Sequence, residues 1–250
     1  SRCDAPPSNP DAMALSELTD RAALEVDRLF TGIGAEQSFA GAHLQKFMIQ
    51  HWYGGKSKPS RTAMLLSSMG YEAEFFRTAI ASEFQSQCES TTELHRRLRP
   101  FFDKVQSPLL LHKAILANRQ LTIIAALLPL LNSLSIDQRI SALSPYLDSR
   151  LLAISLKMPT RLLFDKGVDG IILEKAVSME GVGRTRGFGV PWRYWLRGPM
   201  HEYVRSQLKD VDADIFNQSS MMQVFDAMKT KGSNEMDQMI WMALSLSAWC

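Results

Sequence analysis

The sequence predicts a mainly α protein with only a small remnant of β-sheet. Three observations carry this reading. From Arg61 onward almost every segment has apolar residues at helical spacing. One short run, "VDRLFT" (Val26 to Thr31), reads as a strand between a helix and glycine. A composition of 46% apolar and 22% charged residues over 250 positions describes an ordinary globular chain able to bury a sizeable core. One strand cannot make a sheet, so its partners lie in ambiguous stretches or upstream of Ser1.

The elements are taken in chain order. "DAMALSELTDRAALE" places Ala12, Leu15, Leu18, Ala22 and Ala23 on one helical side. After the strand, Ala35 to about Trp52 reads as one helix, stopped by the loop "YGGKSKPS". "YEAEFFRTAIASEF" and "TTELHRRLRPFF" are amphipathic, the second with a polar start at Thr91, Glu93 and His95. "SPLLLHKAILANRQLTIIAALL" is a long buried helix, with Ser107 at the N-cap and Pro108 in the first turn. Its apolar stretch "LTIIAALLPLLNSL" is too short to span a bilayer and holds Pro129 and Asn132. "LDSRLLAISLKMP", "VDGIILEKAVSM", "PWRYWLRGPMHEYVRSQL", "SSMMQVFDAMKTK" and "EMDQMIWMALSLSAW" complete the helices.

Bulk chemistry narrows the function classes. A formal charge of +2 gives no footprint for nucleic acid or an anionic membrane, and neither partner is expected. The basic cluster "HRRLRP" is read as a solvated helix face. Cys3, Cys88 and Cys250 lie far apart, without metal-ligand or disulfide-framework spacing, which suggests a reducing compartment. No signal peptide is visible, and a cytoplasmic location is the expectation. The five histidines never show the H-E-x-x-H pattern, so no metal ligand is assigned. "GGKS" has Gln50 where a phosphate loop needs its first glycine. "DVDADIFNQSSM" has Ile215 and Met221 at positions a calcium loop reserves for Gly and Glu, and reads as acids at a helix start. The Met-rich C-terminus is read as core filler.

"TGIGAEQSFAG" (Thr31 to Gly41) places a Gly-x-Gly turn after the strand, with Gln37 where a third glycine of G-x-G-x-x-G would fall. Such a turn either holds a nucleotide or makes a tight strand-to-helix connection.

"RGFGVPWRYWLRGPMHEYV" (Arg186 to Val204) resembles the C-terminal motif of the asparagine synthetase family, "GFGVP...WLRGPL". "SPYLDSRLLAISLKMPTRLL" (Ser144 to Leu163) resembles the family's "VPFLDHRLVEFA..LP", and "VDRLFTGIGAEQSFAG" resembles "VVLTGEGADELFGG". The ending "IWMALSLSAW" is similar to the family's last helix, and the matches stand in family order along nearly the whole chain.

The resemblance implies a single domain over residues 1–250: a truncated α/β adenine-nucleotide α-hydrolase-like synthetase domain with a parallel-sheet remnant. It also implies an ATP-dependent ligase that activates a carboxylate as an acyl-adenylate, with magnesium on the pyrophosphate, before an amine displaces AMP. Relatives make asparagine, β-lactams or lasso peptides, some with a glutaminase domain, which nothing here resembles. The family's pyrophosphate loop "SGGxDS" is absent, and "DAPPSNPDAMALSEL" resembles the stretch after that loop and its strands, so a first portion of the domain is expected to be missing.

Departures fall on charged positions. The family's Glu, Asp and second Glu match Ile33, Glu36 and Gln37. The Glu and Arg of "EVRVPFLD" match Ser141 and Leu143, and the Lys and Arg of "GKYLLRKA" match Gly170 and Glu174. The Lys before "GFGVP" matches Thr185, flanked by Arg184 and Arg186.

On an enzymatic reading Gly32 and Gly34 shape the nucleotide turn, and Glu36 is the surviving carboxylate. Arg184 or Arg186 supplies the phosphate-facing charge. The substrate is then a specialised small-molecule or peptide carboxylate. The alternative is a catalytically inactive relative that serves as scaffold or subunit for a partner protein.

Overall fold

The computed structural model describes residues 6–7, 9–54, 59–69, 77–87, 91–103, 105–164, 171–177 and 190–249. The described residues are mostly helical, with a two-stranded parallel sheet. Strand β1 (Arg28–Phe30) pairs with β2 (Ser141–Leu143) in the register Arg28 to Ser141, Leu29 to Ala142 and Phe30 to Leu143. Of the two places anticipated for a strand partner, an ambiguous internal stretch supplies this one. β2 is three residues long and lies between a helix and Pro145, too short to show an alternating pattern.

The N-terminal helix α1 (Asp11–Ala22) buries Ala12, Leu15 and Thr19, while Leu18 is 39% exposed. Ala12 and Leu15 are buried as expected, and Thr19 takes the inward place expected of Leu18. The Thr19 hydroxyl tolerates burial because it donates to the Leu15 carbonyl at 2.7 Å.

The single helix expected from Ala35 to Trp52 is two helices: α2 (Ala35–Ser38) and α3 (Ala42–Tyr53). Between them Ala40 takes a left-handed conformation, φ 56°. The Gly41 amide donates back to the Glu36 carbonyl at 2.8 Å, the long hydrogen bond of a Schellman ending. Gln45, itself buried, donates to the carbonyls of both Ala40 and Leu163 at 2.9 Å and fixes the break against a distant segment.

Helix α3 packs with α4 (Arg61–Ser68), α6 (Thr91–Asp103) and α7 (Leu110–Asn118), around Leu44, Phe47, Leu65, Leu98, Leu111 and Ile115. The helix expected across "YEAEFFRTAIASEF" falls partly outside the described residues. Within them it is interrupted, because Ile80 forms a β-bridge with Phe216 and only α5 (Ser82–Gln85) follows. The solvated face of "HRRLRP" is as anticipated, with Arg96 and Arg97 both paired to Glu93.

The long apolar helix starts at Leu110 rather than at a Ser107 cap. Ser107 instead accepts the Leu109 amide at 3.2 Å, ahead of the helix. From Arg119 to Leu127 the backbone is π-helical, and α8 (Leu128–Asp137) continues it. Thr122 donates to the Asn118 carbonyl at 2.8 Å, a side-chain bond that competes with the helical ladder at this junction. The run is only partly buried, with Ile124 55% and Ile136 77% exposed. It has the length and composition to cross a bilayer, which core helices also show.

A second cluster forms near the C-terminus. α12 (Trp192–Arg197), α13 (His201–Lys209), α14 (Gln218–Lys231) and α15 (Asn234–Trp249) surround Val204, Leu208, Met221, Phe225, Met228 and Ile240. Most of the methionines fill core, as their spacing indicated, and Met242 is the exposed exception. The acids of "DVDADIF" sit in the turn after α13, where Asp212 accepts the Asp214 amide, and not at a helix start. Asn217 caps α14 by accepting the Ser220 amide at 3.0 Å.

Candidate functional site

β1 and β2 carry their following turns to one place. The ladder extends past the strands, with the Thr31 amide on the Leu143 carbonyl at 2.8 Å and the Ser141 amide on the Asp27 carbonyl at 2.9 Å. Thr31 and Ser144 then share a hydroxyl hydrogen bond of 2.8 Å, tying the start of one turn to the start of the other.

Gly34 closes the contact. Its φ is 98°, and a Cβ there would lie 2.5 Å from Leu147 Cδ2 and 3.1 Å from the Tyr146 carbonyl oxygen. Both the backbone conformation and the space require glycine. Gly32 is different, since nothing lies within 4 Å of where its Cβ would be. One glycine of the pair builds the turn, and the other leaves it open.

The second turn is a 3-10 segment (Pro145–Leu147) leading into α9 (Ser149–Ser155), which Asp148 caps by accepting the Arg150 amide at 2.8 Å. The Arg150 guanidinium also grips this carboxylate and holds its pKa at about 2, well below the usual range, with the cap amide adding to the effect. Because the folded value is lowered, the stabilisation is whole above the ordinary Asp pKa of about 4. It is lost as pH falls through about 2. An NMR titration of the Asp148 carboxyl should show this low midpoint, and Arg150→Ala should return it towards the ordinary value. An unchanged midpoint in the variant would exclude Arg150 as the main cause.

Glu36 is exposed in the first turn of α2 and has no hydrogen bond or ion pair with a described residue, so its carboxylate is available. Ile33 turns towards α1 and α8 and packs against the cluster of Leu15, Leu131 and Leu134, with Ala142 beside it. The position that matches a family glutamate is thus a packing position here. Ser141 and Leu143 are exposed on the sheet face opposite Ala142. Arg184, Thr185, Arg186 and Gly170 lie outside the described residues, as does the side chain of Glu174. The structure accordingly unites Gly32, Gly34 and Glu36 with Ser144–Asp148 and does not place the two arginines.

Two further features escaped the sequence reading. Arg119, at the start of the π-helical segment, donates from Nη1 to the buried Ser38 Oγ at 2.7 Å. Its only sequence signal is a charge inside a long apolar run, because the partners are 81 positions apart. Near the C-terminus Asp237 is fully buried and bonded by Arg197 from Nε at 3.1 Å and Nη2 at 2.5 Å, with Arg193 at 3.4 Å. The "WLRGPM" arginine is thereby anchored to the last helix.

Among the described residues no group of three or more His, Cys, Asp or Glu side chains forms a metal-ligand cluster. A family model described as asparagine synthase matches residues 1–250. No curated protein and no solved structure matches the chain.

Proposed function

We propose, from the premise that this chain belongs to the asparagine synthase family, that it serves ATP-dependent amide-bond formation on a specialised carboxylate. The family supports the ligase and ATP-using theme. The finer reading, an acyl-adenylate route on an adenine-nucleotide α-hydrolase-like fold, is ours. The observation that carries it is the parallel pairing of β1 with β2, which seats the Gly32–Gly34 turn on Tyr146 and Leu147. Two segments more than a hundred positions apart, each similar to a family signature, meet at the carboxyl ends of the two strands.

The residues present fit a nucleotide in part. Gly32 offers open backbone, and Glu36 a carboxylate unpaired among the described residues. Magnesium commonly takes one or two protein carboxylates and completes its shell with phosphate and water, so Glu36 is a sufficient protein ligand for magnesium arriving with ATP. When bound, ATP would supply the adenylyl group that activates the carboxylate. Ile33 cannot take a proton, so deprotonation of the amine falls to another group or to substrate-derived phosphate. Charge on the phosphates falls to Arg184 or Arg186 on this reading.

The test is carboxylate-dependent exchange of labelled pyrophosphate into ATP, run over a panel of amino acid, small-acid and peptide carboxylates. Exchange with at least one acid, abolished by Arg186→Ala, is expected. No exchange together with no ATP binding by calorimetry would refute the ligase reading, and unchanged exchange in Arg186→Ala would remove that residue's role.

A second reading rests on Ile33. Its place in the Leu15–Leu131–Leu134 cluster shows the turn serving packing where family members keep a carboxylate. On that reading the chain is an inactive relative acting as an interaction subunit, and calorimetry with ATP separates the two.

A further inference from the structure

Arg119 stands at the junction of α7 and the π-helical segment, half-buried against α2. A guanidinium has five N–H donors. Here one nitrogen is bonded, to Ser38 Oγ, and no carboxylate pairs with the group among the described residues. Removing a cation from water without a counter-charge is costly. Burial pushes the Arg119 pKa down from its ordinary value, yet it stays a cation near neutral pH.

The anchor is rigid. Ser38 has no exposed surface, and its hydroxyl lies 3.5 Å from the Tyr146 carbonyl as well as 2.7 Å from Arg119. Arg119 is therefore tied to the α2 turn and, through Ser38, to the Pro145–Leu147 turn. π-helical insertions recur at functional sites, where they re-aim a side chain that a regular helix would direct elsewhere. Glu36, the neighbouring acid on the turn, points to solvent and does not neutralise the cation.

We propose that Arg119 is an oxyanion-binding residue beside the Gly32–Ser38 turn, positioned by Ser38 to receive a carboxylate or phosphate oxygen of the substrate. The assignment rests on the proposed ligase reading for the identity of that substrate. The planar fork of a guanidinium matches two oxygens of either group, which a lysine cannot reproduce. Ser38 acts as a positioning residue and does not touch the anion.

The experiment titrates the chain by calorimetry with inorganic pyrophosphate and, separately, with succinate. The two arms distinguish a phosphate subsite from a carboxylate subsite. Saturable binding of one anion is expected, weakened at least tenfold in Arg119→Gln and partly retained in Arg119→Lys. Ser38→Ala, a small change expected to leave helical circular dichroism intact, should weaken binding about threefold by freeing the guanidinium. Equal affinities in the native chain, Arg119→Gln and Ser38→Ala would overturn the proposal, and so would binding of neither anion by the native chain. If Arg119→Gln does not fold, Ser38→Ala decides alone. Pyrophosphate exchange on the same proteins separates the two readings. Exchange with anion binding indifferent to Arg119 sinks this assignment only. Anion binding that depends on Arg119, without exchange for any acid and without ATP binding, sinks the ligase reading only.

Discussion

Gly34→Ala is expected to destabilise the fold by about 2–5 kcal/mol, through one atom. The first part is conformational: an L-residue in the left-handed region costs roughly 1–2 kcal/mol. That region is where Gly34 lies, at φ 98°. The second part is steric, since the new Cβ would sit 2.5 Å from Leu147 Cδ2 and 3.1 Å from the Tyr146 carbonyl. Leu147 has a flexible end and can yield, whereas the carbonyl belongs to the backbone of the second turn. Overpacking of this kind adds about 1–3 kcal/mol. Gly32→Ala is the matched control. It meets nothing within 4 Å and has no left-handed φ, so it should be neutral, or stabilise by about 0.5 kcal/mol through the unfolded chain. Urea unfolding of both variants checks the contrast. A larger loss at Gly32 than at Gly34 would mean that the turns do not meet in this way.

Arg197→Ala should be the most damaging charge substitution in the C-terminal cluster, at about 3 kcal/mol. Asp237 has no exposed side-chain surface and takes both Arg197 bonds. Without Arg197 it keeps only Arg193 at 3.4 Å, and a buried carboxylate with a weak partner carries most of its desolvation penalty uncompensated. Arg193→Ala should cost less, because the two-bonded partner remains. The exposed pair of Arg205 and Asp226 supplies the contrast: Asp226→Ala should change stability by about 0–1 kcal/mol. Chemical unfolding distinguishes these outcomes, and equal losses at Arg197 and Asp226 would contradict the buried-pair account.

Much of the helical framework is legible in the residues. The amphipathic stretch of α6 and the methionine spacing of α14 and α15 appear in the structure as helices with the expected buried positions. Where the residues misled, one cause was a distant contact and the others were local. The α2–α3 break is held by Gln45, which also bonds the Leu163 carbonyl. The helix start at Leu110 escaped because Ser107 and Pro108 mimic a cap, while their backbone belongs to the preceding loop. On α1 Leu18 lies outward because Thr19 satisfies its hydroxyl locally and can be buried in its place.

The candidate site was readable as a set of motifs and unreadable as an arrangement. Gly32, Gly34 and Glu36 stand together in the sequence, and only the parallel pairing shows that Gly34 must accommodate Leu147. Ile33 looked like a lost carboxylate. The structure adds that it is a gained packing contact with Leu15, Leu131 and Leu134.

By itself the sequence determined family, helical content and the missing charges, because each is written in residue type and short-range spacing. Tertiary structure alone decided which glycine is indispensable, which serine holds Arg119 and which aspartate is buried. Those properties depend on contacts between residues 40 to more than a hundred positions apart, where desolvation and steric fit act and no local pattern can record them.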